Sequence, residues 1–142
     1  MIGKLQTNKV KFAVDIFDYI HSVDNLKLAK KISDEIKKRN KKIKIFIQVN
    51  IGDEIQKSGV QIDDLNSFFE ECKQFENLDI IGLMCLPPMN DDSDIYFQKM
   101  NTLSKQLNLP ELSMGMSQDY LSAASNNASF VRIGTKIFGE RN

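Results

Sequence analysis

The chain has 142 residues, and its 19 Lys and Arg balance 19 Asp and Glu to give a formal charge of zero. That length suits one buried core, and a neutral total builds in no long-range attraction to nucleic acid or an anionic membrane. A lone histidine, His21, excludes a multi-histidine metal site and a Ser-His-Asp triad on any other histidine, and Cys72 and Cys85 stand too far apart for a C-x-x-C pair.

The opening stretch, MIGKLQTNKVK, presents neither a strand nor a helix cap. Val10, Ala13, Val14 and Phe17 follow at helical spacing. Tyr19 to Val23 is a short strand, and Asp24 is the expected N-cap of a helix whose apolar face carries Leu26, Ala29, Ile32 and Ile36. Asn40 ends it. Lysines and Arg39 between Lys37 and Lys44 read as a solvated helix end that complements the dipole. Ile43 to Val49, rich in β-branched and aromatic residues, is a buried strand.

NIGDEIQKSGV is a loop punctuated by Gly52 and Gly59, with Lys57 expected to be exposed. Asp63 or Asp64 opens a helix with Leu65, Phe68, Phe69, Cys72 and Phe75 on one stripe. Ile80 to Met84 is the next strand, and Pro87 and Pro88 keep the following loop out of helix. Ser93 or Asp94 is the expected cap of a helix bearing Tyr96, Met100, Leu103 and Leu107. LSMGMS reads as a strand running into a Gly-bearing turn. Tyr120 to Ser125 makes a short helix, and Phe130 to Ile133 is the last strand, followed by GTKIFGERN.

Strands alternating with helices make this an α/β chain with a parallel sheet. Two architectures compete: an open doubly wound sheet and part of a (β/α)8 barrel. No G-x-G-x-x-G follows a strand, so the dinucleotide-binding version of the open sheet lacks its fingerprint. No signal peptide or transmembrane run is visible, and two cysteines in apolar settings fit a reducing, cytoplasmic compartment.

In either architecture ligands sit beyond the carboxyl ends of the strands. Two loops stand out there. Ser113 to Ser117 sets a glycine among hydroxyls just before a helix, an arrangement suited to an anion. Arg132 to Thr135 offers a fixed cation, a glycine for close backbone approach and a hydroxyl. Together, at the last two strand ends, they match a phosphate site. His21 reads as a buried side chain and Met84, Met114 and Met116 as packing residues. The acidic run Asp91, Asp92 and Asp94 lacks the ligand pattern of a calcium loop and reads as a solvated loop with a helix cap.

Taken in order, IGKLQTNK, HSVDNLKLAK, QVNIGDEIQKSGV, GLMCLPP, LSMGMSQDY and VRIGTKIFGER span nearly the whole chain. This set closely resembles the pyridoxal phosphate homeostasis protein family, single-domain relatives of the alanine racemase barrel. The resemblance implies a (β/α)8 TIM-type barrel that holds pyridoxal 5′-phosphate and buffers or delivers it, with no catalytic reaction. It implies that Ser117, Gly134 and Thr135 contact the phosphate and that Arg132 faces the pyridine nitrogen.

Family members carry an N-terminal portion before the IG-x-LQ-x-NK motif. It contributes the first two strands, most of the third and the lysine that forms the Schiff base. The expectation is therefore a truncated, partial barrel, one incomplete domain over residues 1–142 with Met1 inside the third strand. No lysine here matches the missing one; Lys4 and Lys57 belong to other family motifs. Cofactor binding is expected to be weakened and non-covalent. Open sheet edges invite self-association, while neither nucleic acid nor membrane is an expected partner. The alternatives are a barrel enzyme acting on a phosphorylated sugar, with His21, Asp24 or Asp119 as base, and a non-functional fragment.

Overall fold

The computed structural model describes residues 1–54, 57–89 and 91–140. Parts of three motifs, Ile55 and Gln56, Asn90, and Arg141 of the terminal GER, lie outside the described residues.

After a short 3-10 helix at Thr7–Lys9 come α1 (Val10–Ile16), β1 (Tyr19–Val23), α2 (Leu26–Arg39) and β2 (Lys44–Val49). Then follow α3 (Leu65–Lys73), β3 (Asp79–Cys85), α4 (Ser93–Gln106), β4 (Glu111–Met116), α5 (Tyr120–Ser125), β5 (Phe130–Arg132) and α6 (Thr135–Phe138). The five strands pair in chain order, β1-β2-β3-β4-β5, every pair parallel. This is the strand order of a barrel wall. A doubly wound sheet would reverse direction at a switch point.

The sheet curls. In a flat sheet β1 and β5 would lie four strand spacings apart, about 19 Å. Yet the ring of Phe130 on β5 sits 5.4 Å from Tyr19 on β1 and 5.3 Å from Phe46 on β2, centroid to centroid. Side chains from opposite edges meet only across a concave face. The chain is thus an arc of a (β/α)8-type barrel.

The two faces of the arc carry different residues, as a period of two requires. Ile20, Ile45, Ile47, Leu83, Leu112 and Met114 pack with Leu28, Ile32, Leu65, Phe97 and Met100 of the helices in one apolar core. Phe46 and Met84 are equally buried but stand outside that core. His21, Ser22, Gln48 and Ser113 are the buried polar residues of the strands. Gly82 is required by sterics, since a Cβ there would meet the Glu111 carbonyl oxygen of β4 at 2.1 Å.

Local signals are mostly as expected, with four corrections. The α2 cap is Asn25, whose side chain accepts the Leu28 N–H at 2.9 Å, while Asp24 only receives a bond from Asn25. The α4 cap is Asp92, which accepts from Asp94 N at 3.0 Å. Asp94 instead ties α4 to α5 by accepting from Ser122 and Asn126. Lys57 is half-buried, ion-paired with Glu54 and bonded to the Pro87 carbonyl. GTKIFG contains the short helix α6. Asn40 does end α2, in the left-handed conformation at φ 51°, and Arg39 of the basic run pairs with Glu35 and Asp15. No helix among the described residues is long and apolar enough to cross a membrane.

Candidate functional site

The carboxyl ends of β3, β4 and β5 converge on Arg132. Its Nη1 donates to Ser113 Oγ of β4 at 2.8 Å, and its Nη2 donates to the Cys85 carbonyl of β3 at 2.8 Å. Three strand ends are thereby joined through one side chain. Arg132 Nε is shielded from solvent and has no partner among the described residues. A buried guanidinium N–H without an acceptor costs free energy on the order of 1–3 kcal/mol or more, so it marks a place where an acceptor belongs. Burial draws the Arg132 pKa below its ordinary value, but a guanidinium remains a donor throughout the physiological range.

Ser113 also meets the only histidine of the chain. His21 Nδ1 lies 2.8 Å from Ser113 Oγ. The imidazole stacks on Phe46 at 4.3 Å and meets Phe130 edge-on at 5.5 Å. Burial pushes the His21 pKa down to about 4, with the Met1 ammonium and Arg132 adding repulsion. That ammonium donates to the Tyr19 carbonyl, and His21 N donates back to the Met1 carbonyl, so Met1 runs along the β1 edge. His21 is therefore a neutral, enclosed ring, already engaged by Ser113.

One turn outward, the two loops read from sequence come together. Ser117 Oγ accepts from Gly134 N at 3.0 Å and, more loosely, from Lys136 N at 3.4 Å. With both lone pairs used, its hydroxyl hydrogen is left to donate. Asp119 Oδ1 accepts from Met116 N and fixes the turn between β4 and α5. Gly115, at φ +93°, brings β4 against α5: a Cβ there would lie 2.5 Å from Ala123 Cβ. Gly134 has open space where a Cβ would stand, and Thr135 starts α6 and is exposed.

Of the four residues singled out from sequence, Ser117, Gly134 and Thr135 thus form one exposed corner, and Arg132 sits inward of it. Ser113 was read only as one end of the Ser113–Ser117 loop, and the Cys85 carbonyl and the aromatic set Tyr19, Phe46 and Phe130 were given no role. The only signal of the aromatic set was a place on a strand. Among the described residues no His, Cys, Asp and Glu cluster could hold a metal. The Cys85 thiol, buried and pushed up to about 12, is no nucleophile.

Comparison with known proteins places this geometry. The family model described as the alanine racemase N-terminal domain matches residues 1–142. The pyridoxal phosphate homeostasis protein of Aquifex aeolicus is 41% identical over 149 residues, and the alignment covers 99% of this chain and 65% of that protein. Its Synechocystis counterpart is 36% identical, with 68% of its length covered. The chain thus spans about two thirds of the length of the curated relatives it matches. Among solved structures, PipY of Synechococcus elongatus, determined with PLP bound, superposes with a TM-score of 0.89 at 33% identity, over 96% of this chain and 68% of PipY. An alanine racemase from Corynebacterium glutamicum, at 17% identity and a TM-score of 0.71, shares the fold.

Proposed function

Because the chain belongs to the alanine racemase N-terminal domain family, in its pyridoxal phosphate homeostasis branch, we propose that it binds pyridoxal 5′-phosphate as one incomplete barrel domain. The site is the carboxyl end of β4 and β5. The observation that carries this reading is Arg132: a solvent-shielded Nε donor without an acceptor among the described residues, on a guanidinium already fixed at both Nη atoms. A pyridine nitrogen is an acceptor of the required kind.

When bound, the cofactor supplies an aldehyde and an electron-withdrawing pyridine ring. Arg132 donates to the ring nitrogen and, because a guanidinium does not release its proton, holds that nitrogen unprotonated. An unprotonated ring withdraws electrons weakly, which suits a carrier better than an enzyme of carbanion chemistry. Ser117, with its hydroxyl hydrogen free, and the Gly134–Thr135 backbone hold the phosphate. The role is cofactor buffering or delivery in the cytoplasm, where Cys72 and Cys85 stay reduced.

The test is titration with pyridoxal 5′-phosphate, followed by absorbance and by mass spectrometry after borohydride reduction. Saturable, reversible binding is expected, weakened about tenfold or more by Arg132→Ala or Ser117→Ala, as the loss of a hydrogen bond to a charged group predicts. No stoichiometric adduct on one lysine is expected. Absence of saturable binding refutes the reading; a stoichiometric adduct refutes its non-covalent part.

A further inference from the structure

One of the two hydrogen bonds at Ser113 has a direction fixed by its donor. Arg132 Nη1 can only donate, so Ser113 Oγ accepts there. In the Nε2–H tautomer of the neutral ring, the Ser113 hydroxyl hydrogen donates to His21 Nδ1. One hydroxyl is thus locked between a donor from β5 and an acceptor from β1. Without an acceptor on the β1 side, the Ser113 hydroxyl would be free to rotate, and its lone pairs would no longer be held toward Arg132.

We infer that His21 is a positioning residue for Arg132: by accepting the Ser113 hydroxyl at Nδ1 it fixes the Arg132 guanidinium, and with it the free Nε, in the geometry that receives the ligand. The inference deepens the cofactor reading and rests on it. Every element packed against His21 favours the neutral acceptor. Phe46 of β2 and Phe130 of β5 are apolar, and the charges that act on the ring, the Met1 ammonium and Arg132, are both cations. A distance of 92 residues in sequence separates the two ends of the His21–Ser113 bond, so curvature of the sheet is what creates the relay.

The alternative is that His21 merely fills space against Phe46. The two roles separate in the full chain by side-chain NMR of Arg132 15Nε, read without ligand and again with pyridoxal 5′-phosphate. His21→Phe keeps a stacked ring and removes the acceptor; His21→Leu is the second such variant should the first not fold. His21→Asn restores an acceptor where Nδ1 stood. Either apolar variant is expected to move the Arg132 Nε resonance of the free protein and to weaken cofactor binding about tenfold. His21→Asn is expected to return both most of the way. In a Ser113→Ala background, His21→Phe is expected to add nothing, because the coupling runs through that hydroxyl.

An unmoved Nε resonance in His21→Phe overturns the inference, and so does an effect of equal size with and without Ser113. If the wild-type chain fails to bind the cofactor, the cofactor reading falls. The ligand-free resonance still reports whether His21 orders Arg132.

Discussion

His21 Nδ1 lies 2.8 Å from Ser113 Oγ, a buried bond between the first strand of the sheet and the fourth. Burial of the imidazole holds the His21 pKa at about 4 instead of the ordinary 6.5. The unfolded chain therefore binds a proton between those values that the folded chain refuses. Stability rises with pH where the unfolded state holds more protons, so the His21 contribution is lost as pH falls from about 6.5 toward 4. Urea midpoints across that window should fall more steeply for the wild type than for His21→Phe. Parallel curves would mean that His21 is already charged in the folded protein.

Gly115→Ala should be costly for two reasons. Its φ of +93° is strained for any L side chain, and the new methyl would collide with Ala123 of α5. Left-handed strain and overpacking together amount to about 2–4 kcal/mol. Urea denaturation should show a loss of that size, and phosphate affinity should drop because α5 and the Ser117 turn shift together. A loss below about 0.5 kcal/mol, within the range of ordinary surface substitutions, would show that β4 and α5 separate freely.

Ser117→Ala removes the acceptor shared by Gly134 N and Lys136 N, as well as the hydroxyl donor. The side chain belongs to an exposed corner, so the effect on stability should stay near 0.5–1.5 kcal/mol. Binding should suffer more: affinity for pyridoxal 5′-phosphate, and for inorganic phosphate as a competitor, should weaken about tenfold, while pyridoxal without its phosphate is unaffected. Equal losses for pyridoxal and its phosphate would move Ser117 away from the phosphate.

The five strands were legible because each is a short apolar run between turn residues, and the loops at Ser117 and Gly134 drew attention because two glycine-and-hydroxyl loops follow the last two strands. The cap of α2 was misplaced by one residue because Asp24 and Asn25 are both capping types; only the Leu28 amide decides between them. The relay from His21 to Arg132 was not legible at all. It depends on how far the sheet curls, and no local pattern encodes the distance between β1 and β4. The role given to Arg132 came from the resemblance of VRIGT to a family motif. The unpaired Nε is an independent structural reason for it.

Both thiols should be silent in the folded protein. Cys72 and Cys85 are fully buried, and burial pushes each up to about 12. A disulfide reagent at pH 8 should label neither, and both should react once the chain is denatured. Fast labelling of Cys85 alone would show that the ends of β3 and β5 open, since its carbonyl carries the Arg132 bond.

The β5 edge predicts self-association. Among the described residues Phe130–Arg132 pairs with β4 on one side only. Around it Val131, Leu121, Ile137 and Phe138 are exposed, Phe138 at 85%. An unpaired strand edge with apolar neighbours is a template for another chain, and a lysine on such an edge is a common natural defence. Burying Ile137 and Phe138 in a contact would contribute on the order of 1.5–3 kcal/mol each, enough for association at micromolar concentrations once backbone pairing is added. Sedimentation velocity should therefore show a concentration-dependent shift from monomer to dimer. Val131→Lys should weaken it by placing a charge on the strand, and Phe138→Ser by removing the largest exposed side chain. Neither residue contacts Arg132 or Ser117 through any hydrogen bond described above, so cofactor affinity should hold. A monodisperse monomer at every concentration, or a dimer indifferent to both substitutions, would place the contact elsewhere.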